Sequence, residues 1–251
     1  MTPGRRVALI TDTSFYIGPS IARLLAAGGH DLVIASPADG LVDELGAFGA
    51  AVEVVPERMR LRVHDDPRAD IGSLVRQGLD RFGRIDTAIA FTGRVVTGSF
   101  ADATDVDLDR AVTGCLVEPF HFLKAVVPPM VERRAGQVLL FTSATGSRPT
   151  PNAPLYSSVR AAANMLVRNV AAEVAPSGVQ VNAIGTNFMD FPEFRRAAGA
   201  DDPTVRARIE AAVPLRRLGT VDECARFAMP FVDGTSTFTT GQIVNYAGGW
   251  A

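Results

Sequence analysis

Short apolar runs alternate with amphipathic stretches along almost the whole chain. The runs RVALIT (Arg6–Thr11), DLVIA (Asp31–Ala35), AVEVVP (Ala51–Pro56), TAIAF (Thr87–Phe91), QVLLFTS (Gln137–Ser143), VQVNAIG (Val179–Gly185) and GQIVNY (Gly241–Tyr246) are rich in Val, Ile, Leu and Ala. Several lack strict apolar–polar alternation, which predicts strands buried on both faces of a parallel sheet. Between them, PSIARLLAAGG, IGSLVRQGLDRFG, EPFHFLKAVVPPMVERRAG and SSVRAAANMLVRNVAAEVAPSG space their apolar residues as helices do. Three of these stop at a glycine, the residue that most readily takes left-handed backbone past a helix end, and AEVAPSG adds Pro176 just before its own. The pattern predicts an α/β fold: a single Rossmann-like domain over residues 1–251, with a doubly wound parallel sheet of about seven strands flanked by helices.

The alternation breaks between Asn187 and Gly219. This stretch is rich in Phe, Pro, Arg and Ala and predicts an irregular cap with one or two short helices. It follows the strand Val179–Gly185 at its carboxyl end, where open α/β sheets bind their ligands, so 187–219 is the expected wall of a substrate pocket.

Composition narrows the possibilities. A chain of 251 residues that is 47% hydrophobic can bury one sizeable core. A formal net charge of -2 gives no basic footprint for nucleic acid. No apolar run approaches the roughly 20 residues of a membrane-spanning helix, and the first strand begins by Val7, leaving no room for a signal peptide. A soluble cytoplasmic protein without nucleic-acid or membrane partners is expected. The only cysteines, Cys115 and Cys224, form no CxxC pair, and His30, His64 and His121 lie far apart. Neither a disulfide framework nor a metal site is expected.

Two stretches carry chemistry. The first, LITDTSFYIGPSIARLL (Leu9–Leu25), has the outline of a dinucleotide-binding strand–turn–helix, yet its turn holds Ser14, Phe15, Tyr16 and Ile17 and keeps only Gly18. Without the other glycines the backbone cannot approach a pyrophosphate closely, and Tyr16 places a ring in space that a nucleotide needs. Asp39 lies near the offset of a ribose-binding acid, but it falls after Ser36 and Pro37, beyond the strand, and reads as a loop residue. In the second stretch Ser143 closes a strand, Tyr156 follows, and Arg160 stands four residues later on the same helical face. A fixed cation beside the phenol favours the phenolate and makes Tyr156 a usable base, with Ser143 aimed at the same substrate oxygen.

On these residues the chain resembles the short-chain dehydrogenase/reductase superfamily, which has Ser and Tyr-x-x-x-Lys at matching positions. It departs in Arg160 for the lysine, in TDTSFYIG for the glycine-rich turn and in FTGR (Phe91–Arg94) for the turn after the fourth strand. By helix register the superfamily's active-site asparagine falls near Cys115. The whole pattern, Thr11, Tyr16 and Gly18 followed by Ser143, Tyr156 and Arg160, resembles the halohydrin dehalogenases, most of which have Phe where this chain has Tyr16. That resemblance implies a halide or nucleophile site formed by Tyr16 and the loop Thr186, Asn187, Phe188 and Met189, in which Thr186 replaces a common proline.

The activity implied is a carbon–halogen lyase reaction with no cofactor, a halide ion being only product or ligand. Tyr156 takes the hydroxyl proton of a vicinal haloalcohol, Ser143 holds the oxygen, and an epoxide closes as halide leaves. In reverse, small anions (azide, cyanide, nitrite) open the epoxide. Two other readings stay open: an atypical NAD(P)-dependent short-chain oxidoreductase, and a non-catalytic Rossmann-like binding protein. The resemblance also implies a homotetramer, pairing helices over about Tyr156–Ala175, whose small residues Ala161, Ala162, Ala163, Ala171 and Ala172 permit close approach. Trp250, close to the chain's last residue, is expected at or near an interface.

Overall fold

The computed structural model describes residues 4–55 and 67–251. His64 and the Pro56 end of the third expected strand lie outside the described residues. In chain order the first half runs β1 (Arg6–Ile10), α1 (Gly18–Ala27), β2 (His30–Ala35), α2 (Leu41–Ala47), β3 (Val52–Val55), α3 (Pro67–Phe82), β4 (Thr87–Phe91) and α4 (Asp105–Val112). A π-helical turn, Thr113–Val117, then leads without a break into α5 (Glu118–Arg133). The second half continues with β5 (Gly136–Ser143), α6 (Pro154–Val174), β6 (Val179–Thr186), β7 (Met189–Asp190), α7 (Pro192–Ala198), α8 (Pro203–Ala211), β8 (Gly219–Thr220), α9 (Val221–Ala228) and β9 (Ile243–Tyr246).

Seven strands form one sheet in the order β3-β2-β1-β4-β5-β6-β9, parallel throughout, and β7 pairs with β8 apart from it. The single-domain Rossmann-like fold read from the sequence is the fold observed. The direction in which the chain adds strands across the sheet reverses between β1 and β4, which opens a crevice at their carboxyl ends.

The near-continuous apolar strands follow from burial on both faces. In β1, Val7 and Leu9 face one core with α3, α5 and α6, while Ala8 and Ile10 face a second core with α1, α2 and α9. In β5, Val138 and Leu140 go to the first core and Leu139 and Phe141 to the second. The period of two is present, but both sets are apolar because both faces are covered. Each Leu or Ile so buried contributes about 2 kcal/mol against exposure.

Helix ends show where the glycine rule holds. Gly83 after α3 (φ 70°) and Gly178 beyond α6 (φ 72°) take left-handed backbone. At α5 that conformation falls instead on Arg134 (φ 52°), two residues before Gly136. The Arg134 side chain donates to the Pro176 carbonyl at 2.9 Å, which anchors it there.

At the amino edge of the sheet one buried carboxylate joins three elements. Asp86 accepts from the Val7 amide at 2.9 Å, from Arg133 at 2.9 Å and from the Arg84 guanidinium. Burial alone pushes this carboxyl up, but Arg84, the Val7 amide and Arg133 together hold it below the ordinary aspartate value. A depressed carboxyl stabilises the fold above its unfolded-state pKa, and the contribution fades as pH falls through the folded-state value. Asp86→Asn is therefore expected to cost about 2 kcal/mol at neutral pH. Urea unfolding of both proteins at neutral and at acid pH checks this: the gap between them should narrow in acid.

Candidate active site

The residues singled out from the sequence converge at the carboxyl edge, beginning with the turn after β1. The Thr11 hydroxyl accepts from the Phe91 amide at 3.2 Å and ties β1 to β4. Asp12 winds the turn by accepting from the Ser14 amide (2.8 Å) and hydroxyl (2.7 Å). A β-carbon on Gly18 would overlap the Asp12 carbonyl oxygen, so the closely packed turn admits only glycine there.

Ser143 closes β5, and α6 carries Tyr156 and Arg160 on its buried face. The Ser143 hydroxyl accepts from the Thr145 hydroxyl at 3.0 Å and donates to the Thr186 carbonyl at 3.4 Å, so its oxygen is held between β5 and β6. The Arg160 guanidinium carbon lies 5.1 Å from the centre of the Tyr156 ring. Arg160 is 4% exposed. Its Nη2 donates to the Thr92 carbonyl at 2.6 Å, while Nε and Nη1 are buried with no hydrogen-bond partner. Burial acts to lower its basicity, but Tyr156, Cys115 and Glu118 nearby outweigh that and hold it above the ordinary arginine value. Gly93 (φ 113°) packs directly on the guanidinium, where any β-carbon would collide with it.

Tyr16 crosses the crevice from the β1 side. Its backbone is left-handed (φ 55°). Its ring centre lies 4.5 Å from that of Phe191 and 6.2 Å, edge-on, from that of Phe91 at the end of β4. The phenol lies beside the Thr186 side chain at the end of β6. Burial pushes this phenol well above the ordinary tyrosine value, so it stays neutral at any physiological pH. The ring thus bridges the two sides of the crevice.

The expected halide loop divides. Thr186 stands with Ser143 and Tyr16. Asn187 turns back to accept from the Phe188 amide at 2.9 Å, and Met189 is buried in the core beside α1 and α9. Asn187, Phe188 and Met189 line a separate cavity of about 280 Å³ whose walls include Val213, Tyr246 and Gly248. Phe188 meets Trp250 edge-on at 5.4 Å, and Arg148 stacks on the Trp250 ring at 4.7 Å, so this tryptophan packs within its own chain. Asp39 is exposed in the loop before α2.

One residue near Arg160, Glu118, went unremarked in the sequence. Arg94 follows Gly93, Glu118 begins α5, and its side chain is 7% exposed with Arg94 Nε 3.9 Å from Oε1. Burial pushes the Glu118 carboxyl up to about 7, against the pull of Arg94, the Gly93 amide and Arg160. An acid at the head of a helix reads as routine in sequence, and nothing in its spacing announces burial. Cys115, placed near the asparagine position by register, is buried with Sγ 3.6 Å from the Arg94 carbonyl.

Comparison with known proteins places this geometry. A family profile described as Enoyl-(Acyl carrier protein) reductase matches residues 15–251. Oxidoreductase UcpA of Salmonella typhimurium is 31% identical over 244 residues, covering 94% of this chain and 90% of that protein. Levodione reductase superposes with a TM-score of 0.85 at 24% identity, covering 97% of this chain and 96% of that one. A structure described as a dehalogenation enzyme superposes with a TM-score of 0.82 at 27% identity, covering 100% of both chains. Reductase and oxidoreductase names across the family profile and the curated relatives overturn the expected carbon–halogen lyase. The expectation of no cofactor falls with it, since oxidoreduction on this fold points to a nicotinamide. Among the described residues no helix is long and apolar enough to cross a membrane.

The Gly93 contact yields a direct test of how Arg160 is held. Gly93→Ala must either displace the guanidinium or distort the turn, and misplacement by about 1 Å is enough to lower turnover roughly 100-fold. A fall in kcat of about tenfold or more, with the far-ultraviolet dichroism of the folded protein retained, is expected.

Proposed function

Because the chain belongs to the short-chain dehydrogenase/reductase superfamily, we propose that it is an oxidoreductase acting at an alcohol or carbonyl carbon, with Tyr156 exchanging the proton on the substrate oxygen. The observation that carries this reading is the juxtaposition of Tyr156 and Arg160 on one face of α6 with Ser143 at the end of β5. The proton half of such a reaction is what these residues supply. Ser143, its oxygen already fixed by Thr145 and Thr186, hydrogen-bonds the substrate oxygen and sets its direction. Tyr156 gives a proton to that oxygen as a carbonyl is reduced, or takes one as an alcohol is oxidised. Arg160, charged throughout, is the counter-ion for negative charge developing on the Tyr156 oxygen in a site closed to water.

The nicotinamide that the superfamily implies does not fit the crevice in this conformation. Tyr16 lies across it, against Phe91 and Phe191 and beside Thr186, and the turn below offers Ser14 and Phe15 in place of glycines. Accommodating a dinucleotide requires the Tyr16 ring to leave.

Fluorescence titration with NADH and NADPH, for the natural protein and for Tyr16→Gly, tests the reading together with turnover of small alcohols and ketones. Tyr16→Gly removes both the ring and the left-handed strain and is expected to bind at least about tenfold more tightly. Tyr156→Phe is expected to abolish turnover while leaving nucleotide binding unchanged. Nucleotide-free halide release from a vicinal haloalcohol, with no nicotinamide turnover by either form, would overturn the proposal.

A further inference from the structure

We propose that Glu118 is a positioning residue for the Tyr156–Arg160 pair: it holds the turn that anchors Arg160 and competes with Tyr156 for the same buried cation. The proposal rests on Tyr156 being the proton-exchanging group.

The turn Thr92–Gly93–Arg94 is gripped from two sides. From α6, Arg160 Nη2 donates to the Thr92 carbonyl at 2.6 Å and packs on Gly93. From α5, the buried Glu118 carboxyl faces Arg94 Nε at 3.9 Å. The π-helical turn before α5 lays Gly114 against Arg94, where no β-carbon fits, and directs Cys115 to the Arg94 carbonyl. Such turns place side chains that a regular helix would carry elsewhere.

The usual reason for an acid at a helix start does not apply to Glu118. Val117 (φ -67°, ψ -43°) and Glu118 (φ -59°, ψ -53°) are both right-handed helical, and the helix runs on from the π turn. No free first-turn amides await a cap. Glu118 Oε1 is instead buried without a hydrogen-bond partner, a placement that is costly unless charge nearby compensates it.

Around this carboxyl stand Arg94 from the β4–α4 loop, Arg160 from α6 and the Cys115 thiol from the π turn. Tyr156 and Glu118 both draw on Arg160. Negative charge on Glu118 reduces the support that Arg160 gives to negative charge on the Tyr156 oxygen. Burial lifts the Glu118 carboxyl to about 7, so its ionisation falls near neutrality.

Glu118→Gln keeps the size and shape of the side chain and removes the charge. The pH at which alcohol-oxidising kcat/KM rises is expected to move down by about one unit, with KM at fixed alkaline pH changed less than about twofold. A profile that coincides with the natural one, or moves up, overturns the proposal. A second arm needs no turnover. Carbon-13 NMR of the glutamate carboxyls should show Glu118 titrating near neutrality in the natural protein, with its midpoint raised in Arg160→Gln. A Glu118 resonance that titrates in the ordinary carboxylate range, unmoved by Arg160→Gln, also overturns it. If the natural protein turns over no alcohol or ketone, the oxidoreductase reading fails by itself and the NMR arm alone decides the coupling.

Discussion

A buried guanidinium organises the carboxyl edge of this sheet. Arginine cannot shed its charge by deprotonating, so a fully enclosed Arg160 must be answered by acceptors and by negative charge around it. Thr92 supplies a carbonyl, Tyr156 and Glu118 supply ionisable oxygens, and Gly93 leaves the space the planar head needs. They come from three elements, so the charge specifies how the β4 turn, the α5 start and α6 sit together. The π-helical turn fits the same need, since Gly114 and Cys115 meet Arg94 only where the helix widens.

The sheet makes that arrangement possible. Parallel strands end on one edge, and four of them deliver their last residues to one crevice: the Tyr16 turn after β1, Phe91 from β4, Ser143 from β5 and Thr186 from β6. Register keeps these ends level. Phe91 stands opposite Phe141, and Ser143 opposite Thr186. The two apolar cores hold that register, because a one-residue slip in β1 or β5 would exchange every side chain between faces packed for different neighbours.

Much of the fold was legible because parallel strands covered on both faces write unbroken apolar runs. All seven expected strands lie in the one sheet, with ends shifted by a residue or two. The β7–β8 pairing was not legible, since two residues carry no period, and neither was Arg134 in place of a glycine after α5. At the site, Ser143, Tyr156 and Arg160 were readable from spacing alone, as the helix repeat and the strand end dictate where they go. Glu118 was not, because its burial depends on a loop 24 residues earlier in the chain. The assignment of chemistry went astray for a related reason. Ser, Tyr and a cation suit the handling of one proton, a step shared by reactions that differ in everything else, so a pattern of these residues leaves the reaction open.

Tyr16 shows what it takes to keep the crevice closed. Left-handed backbone on an aromatic residue costs about 1 kcal/mol, and its persistence requires contacts that over-determine it. Burying most of the ring against Phe91 and Phe191 contributes about 2 kcal/mol. Relief of the backbone strain favours the ring leaving and loss of its burial opposes it, so a ligand that needs the open crevice gives up part of its binding free energy to displace the ring.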